Sequence, residues 1–186
     1  GFMPELAEMY DVVTPMEFLR FMGTLYNLSA NVASERAENM LEAFGLDGNK
    51  DQRMDTFSKG MKQKVLIVSG LLHNPEILIL DEPLSGLDAN SVIIVKDLLD
   101  KMASNGKTIF YCSHMMDIVE KVSDRIILIN EGKIVADGTF EELKMKDGDN
   151  TLEKIFAHLT ADGSLAVASE KLLNEFGNDP GKEQPH

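Results

Sequence analysis

The sequence predicts an α/β fold, a parallel sheet flanked by helices. Three observations carry that expectation. Ile77 to Leu80 is a continuous apolar run, the pattern of a strand covered on both faces. Strand and helix patterns alternate around it as far as the hairpin that ends at Ala136. Two adjacent carboxylates, Asp81 and Glu82, close the run where open α/β sheets present their ligand sites.

The elements can be justified in chain order. Thr14-Pro15-Met16-Glu17 has the form of a capping box with proline at the first helical position. Behind it Phe18, Phe21, Met22, Leu25 and Tyr26 recur at helical spacing. A second helix is predicted from Ser34 to Phe44, with Ala37, Met40, Leu41 and Phe44 on one face and Gly45 as its stop. The methionines crowding this first third read as adaptable core packing. Ser58 caps a third helix, whose face carries Met61, Val65, Val68, Leu71 and Leu72 and which ends before Pro75.

The strand Ile77–Leu80 is followed by a helix from Ala89 to Ser104, broken by Asn105-Gly106. A strand is predicted over Thr108–Cys112 and a short helix over Met115–Val122. Arg125–Ile129 and Lys133–Ala136 flank Glu131-Gly132 as a hairpin. Thr139 and Glu142 form a second capping box, and Leu152, Ile155, Phe156 and Leu159 suggest a further amphipathic turn or two. SLAVASEKLLNEF reads as a last helix and GNDPGKEQPH as a disordered end. The chain shows no internal repeat.

Bulk properties narrow the function. The 186 residues, 44% hydrophobic, suffice for one full-sized core with a tail. A net charge of −13, spread along the chain, gives no general attraction to nucleic acid or anionic lipid. The single cysteine, Cys112, excludes an intramolecular disulfide and suits a reducing cytosol. No apolar run is long enough to span a bilayer, and no signal-peptide pattern opens the chain. It starts at Gly1, directly in apolar sequence, which raises the expectation of a cut in a longer protein.

Adjacent strand residues point to opposite faces, so Asp81 and Glu82 should do different work. One can hold a magnesium ion while the other polarises an attacking water. Taken alone, the pair is as well explained by a solvated strand end; Pro83, Gly86 and Asp88 add a turn that would aim further groups at the same place. In FSKGMKQK, Ser58 and Gly60 stand at a helix start, where free N–H groups favour an anion, although an ordinary N-cap is the plainer reading. His114 follows the second predicted strand at its carboxyl end, a position for a phosphate contact. A phosphate loop G-x-x-x-x-G-K-[ST] is missing. Gly106-Lys107-Thr108 matches only its end, has Lys101 where the first glycine belongs, and runs from helix to strand, the reverse of the required order.

These stretches, in this order, resemble the nucleotide-binding subunits of ABC transporters. FSKGMKQK resembles the signature motif, ILILDEP the Walker B strand and LSGLD the D-loop. SHMMDIVEKVSDRIILINEGKIVADG resembles the switch histidine with the strands after it, and GFMPE the Q-loop stretch. The resemblance covers residues 1–160 and implies a P-loop NTPase-like core with an inserted helical subdomain over about 10–72. The Walker B to switch region would span 73–138, and 161–186 would be a partly disordered extension.

It implies ATP and Mg²⁺ as cofactors, with Asp81 helping to hold Mg²⁺ and Glu82 as general base for the water that attacks the γ-phosphate. His114 would contact that phosphate; Ser58, Lys59, Gly60 and Met61 would bind ATP held by the partner subunit, and Asp88 would join the two subunits. Glu5, where the family more often has Gln, would sense Mg²⁺ and water. SKGMKQ is similar to the variant of ABC-2 type exporters, and TLEKIFAHLT resembles the end of those subunits.

The expected partners are therefore a transmembrane permease subunit and a second nucleotide-binding subunit, identical or different, with no nucleic acid. The expected location is the cytoplasmic face of the cell membrane. In this family the phosphate loop lies upstream of the Q-loop, so the chain is expected to lack its N-terminal strands and to be inactive alone. Two alternatives stand beside this. One is a short non-hydrolysing protein that lends its signature to a partner. The other is a soluble ABC ATPase of ribosomes or DNA repair, against which the absence of tandem domains and basic patches counts.

Overall fold

The computed structural model describes residues 1–5, 12–148, 150–160 and 171. They fall into two compact units, Gly1–Met115 and Met116–His186.

In the first unit, a short strand β1 (Phe2–Met3) precedes two helices, α1 (Pro15–Leu25) and α2 (Ala30–Ala43). Thr14 starts α1 as a complete capping box: its hydroxyl accepts the Glu17 N–H and the Glu17 carboxylate accepts the Thr14 N–H. The second helix begins four residues earlier than Ser34, because Ser29 is the residue whose side chain accepts an N–H, that of Val32. Ala33 then lies inside the helix and meets α1 at Gly23, where an added Cβ would stand 2.6 Å from the Ala33 Cβ. Only a residue without a side chain allows the two helices to approach so closely there. Leu19, Ala37 and Leu41 are fully buried around this crossing.

Helix α3 (Lys59–Leu71), capped by Ser58, buries Val65, Val68 and Leu71. It leads into β2 (Ile77–Asp81), then α4 (Ala89–Ser104) and β3 (Thr108–Cys112). The sheet order is β1-β2-β3, all parallel, with Met3 opposite Leu80 and Asp81 opposite Cys112. Leu78 and Leu80 pack with Ile67 and Leu71 of α3 and Val95 and Leu99 of α4 around one small apolar space. The other sheet face departs from the two-sided cover that an unbroken apolar run predicts. Phe2, Ile79 and Phe110, aligned by register, are exposed, as is Ile77. The helices next to β2 in sequence thus cover only one side of it.

The second unit holds α5 (Met116–Val122), the antiparallel hairpin β4 (Ile126–Asn130) and β5 (Lys133–Gly138), α6 (Phe140–Asp147) and α7 (Leu152–Thr160). Thr139 and Glu142 form the predicted capping box on α6. Ile118, Val119, Ile126, Leu128, Leu143, Leu152 and Ile155 are the unit's buried apolar residues among those described. The last helix predicted over 164–176 lies outside the described residues except for Lys171, and the predicted disordered end over 177–186 lies outside them entirely. No helix among the described residues is long and apolar enough to cross a membrane.

Candidate active site

β2 and β3 run side by side and stop level with one another, so the residues just past their carboxyl ends meet. Glu82 follows β2 with φ +47°, a left-handed conformation that non-glycine residues seldom adopt. Its N–H still donates to the Cys112 carbonyl at 2.9 Å, which keeps the turn stitched to β3. Its carboxylate reaches the residues after β3. Oε1 accepts the His114 backbone N–H at 2.7 Å and lies 2.7 Å from His114 Nδ1, while Oε2 accepts the Ser113 hydroxyl at 2.9 Å. The Glu82 side chain is 12% exposed and that of His114 80%.

Burial pushes the Glu82 carboxyl up, but the bonds from the His114 ring, the His114 N–H and Ser113 together hold it below its usual value. It is thus ionised at neutral pH, and each of these donors makes it a weaker proton acceptor than a free carboxylate. Asp81 ends β2 half-buried, opposite Cys112. Burial pushes the Cys112 thiol up, helped by Asp81 and Glu82, so it stays a neutral neighbour.

The start of α3 lies against the turn that carries Glu82 to Asp88. An added Cβ on Gly60 would stand 2.5 Å from the Gly86 carbonyl oxygen, so that position tolerates no side chain without moving backbone. Lys59 Nζ donates to Ser85 Oγ at 3.0 Å. Ser58 Oγ accepts the Met61 N–H at 3.2 Å, the N-cap of α3. Accepting uses a lone pair, which leaves the hydroxyl proton available to a phosphate oxygen. Ser58 and Lys59 are exposed, and Gly60 and Met61 half-buried.

Asp88 caps α4. Its Oδ1 accepts the Ser91 N–H at 3.0 Å, and its Oδ2 accepts the Ser91 hydroxyl at 2.7 Å and pairs with Lys64 Nζ at 2.8 Å. Lys64 first, then Ser91, holds the Asp88 carboxyl well below the usual carboxylate range. A carboxyl with a depressed pKa in the folded state stabilises the fold fully above its ordinary pKa of about 3.9, and that contribution fades as pH falls below it. Asp88→Asn keeps the cap but loses the pair with Lys64. The gap in urea midpoint between wild type and Asp88→Asn is therefore expected to be constant from pH 7 to 5 and to narrow toward pH 3; a gap independent of pH would remove the pair from the ledger.

Of the residues singled out from sequence, the structure joins Glu82 to His114 directly and sets Ser58, Lys59 and Gly60 beside the turn. Glu5 stands exposed just past β1, outside this bonded cluster. Sequence reasoning passed over Ser113, Lys64, Ser91 and Gln63. Gln63 had a signal: it precedes Leu66, Ile67 and Gly70 at helical spacing, a polar residue on a buried stripe.

Residues 5–85 match the family profile described as ABC transporter. The linearmycin resistance ATP-binding protein LnrL of Bacillus subtilis (strain 168) is 34% identical over 182 residues, which are 95% of this chain and 58% of that protein. The ABC transporter ATP-binding protein NatA of the same organism is 35% identical over 148 residues, 80% of this chain and 60% of NatA. A solved ATP binding subunit of an ABC transporter superposes with a TM-score of 0.79 at 29% identity, over 86% of this chain and 68% of that one. The chain belongs to the ABC transporter ATPase family. It spans a little under two thirds of the length of these two curated relatives.

Proposed function

We propose that this chain forms part of the ATP-binding and ATP-hydrolysing subunit of an ABC-2 type membrane exporter. The observation that carries the reading is the Glu82 carboxylate, held by Ser113 and His114 at the ends of two parallel strands beside the capped start of α3. In this reading Glu82 is the general base, and His114, exposed and 2.7 Å from it, meets the γ-phosphate. As His114 turns to that phosphate, Glu82 Oε1 loses a donor and gains the capacity to take a proton from water. Ser58, Lys59, Gly60 and Met61 face a nucleotide held by a second nucleotide-binding subunit, and Asp88 lies at the contact between the two.

No group of three or more His, Cys, Asp or Glu side chains among the described residues could hold a metal by itself. That fits Mg²⁺, which takes one or two carboxylates and completes its shell with phosphate and water. Asp81 would be the carboxylate to hold it, with Glu5 as a second candidate. Bound there with ATP, the ion would neutralise charge on the β- and γ-phosphates. The helical subdomain over about 10–72 is where a transmembrane permease subunit would dock, on the cytoplasmic face of the membrane. A resistance protein among the relatives favours export over uptake.

A phosphate loop is not among the 186 residues, and most of the grip on β- and γ-phosphates comes from such a loop. Titration calorimetry of MgATP into the chain alone is expected to show no saturable binding in the micromolar range. Binding is expected to appear with a second subunit that carries a phosphate loop, and to be weakened by Ser58→Ala. Micromolar binding by the chain alone would overturn this division of labour.

A further inference from the structure

Gln63 is 3% exposed, the amide of a polar residue sunk under the Glu82 turn. Its Nε2 group has two protons and meets two acceptors: the Glu82 carbonyl at 3.2 Å and the Pro83 carbonyl at 3.2 Å. Those carbonyls belong to the two residues that carry the chain out of β2 through the left-handed conformation of Glu82. The Glu82 carbonyl also accepts the Ser85 N–H at 3.1 Å. The backbone of Glu82 is thus fixed from three sides: by β3 at its N–H, by its own turn, and by α3 through Gln63.

That fixing decides where the carboxylate goes. Continued as a strand, residue 82 would project its side chain to the sheet face opposite Asp81. Turned left-handed, it delivers both oxygens to Ser113 and His114. We propose that Gln63 is a positioning residue for Glu82, its buried amide holding two successive carbonyls so that the carboxylate stands against Ser113 and His114. Gln63 lies three residues after Gly60 on the same helix, so the segment that faces the partner's nucleotide and the backbone of the general base form one hydrogen-bonded body. The proposal rests on the reading of Glu82 as the base only for its catalytic meaning; the positioning itself is a statement about geometry.

The test uses the chain as it is, labelled with ¹⁵N and ¹³C. In the wild type, couplings across hydrogen bonds from Gln63 Nε2 to the carbonyl carbons of Glu82 and Pro83 are expected. Gln63→Met keeps the length and loses both donors, and is expected to shift the His114 Nδ1 resonance to that of a histidine without a carboxylate partner. His73, the internal control, should stay in place. Missing couplings, or a His114 resonance unmoved in Gln63→Met, would overturn the proposal. Should Gln63→Met fail to fold, Gln63→Met with Glu82→Gly decides. Glycine adopts the left-handed conformation unaided, so recovery of the fold supports the proposal, and failure assigns Gln63 to the core and overturns it. Failure of the base reading would show elsewhere, as turnover retained by Glu82→Gln.

Discussion

Glu82→Gln is expected to lower ATP turnover by roughly 10²–10⁴-fold, the usual worth of a positioned general base. The substitution is well matched to the site. Glutamine keeps one oxygen for the His114 N–H, and its amide can donate to Ser113 Oγ, which changes from donor to acceptor by rotating its proton. Shape and packing are thus retained while the proton acceptor is lost. In an assembly that supplies a phosphate loop, the loss should fall on kcat, with KM for ATP nearly unchanged. Turnover within about threefold of wild type would mean that another group takes the proton, since a base contributes far more than that.

The second large effect concerns stability. Leu72, the C-cap of α3, is 0% exposed, and one of its methyl groups would lie 3.6 Å from a Cβ added to Gly23 of α1. Its carbonyl accepts Arg36 Nη1 of α2 at 3.0 Å. One residue therefore closes the junction of three helices. Leu72→Ala is expected to cost about 2–5 kcal/mol, the transfer of the side chain plus the cavity it leaves. Set against a typical total of about 5–15 kcal/mol, that is a large share. Urea unfolding would show it as a lower midpoint with an unchanged slope, and Leu159→Ala, at a surface site on α7, should stay within about 0.5 kcal/mol of wild type. A loss below about 1 kcal/mol at Leu72 would mean that the helices close over the space.

How much of this was legible in the sequence depended on how local the cause was. Both capping boxes, at Thr14 and Thr139, were readable because four consecutive residues suffice to make one. The strands Ile77–Asp81 and Thr108–Cys112 were marked by apolar runs between breakers. The start of α2 was misplaced because Ser29 and Ser34 are both competent caps, and the crossing with Gly23 that requires Ala33 inside the helix is a tertiary fact. β1 went unseen, since two residues have no period and become a strand only by pairing with β2.

At the site, the residue types were legible and their pairings were not. Glu82 and His114 were singled out separately, each at a strand end. That Ser113 shares the carboxylate follows from a register between β2 and β3 that no local pattern fixes. Asp88 was singled out by the D-loop resemblance; its bonds to Ser91 are a local cap, while its pair with Lys64 depends on how α3 lies against the start of α4.

The left-handed backbone at Glu82 also bears on how such a protein can be improved or can drift. Glycine or asparagine would sit there with less strain than glutamate does. A library of variants sorted for heat resistance alone would weigh relief of that strain against the bonds to Ser113 and His114, and would be blind to the proton acceptor. A stabilised descendant would keep its chemistry only if turnover were scored alongside melting.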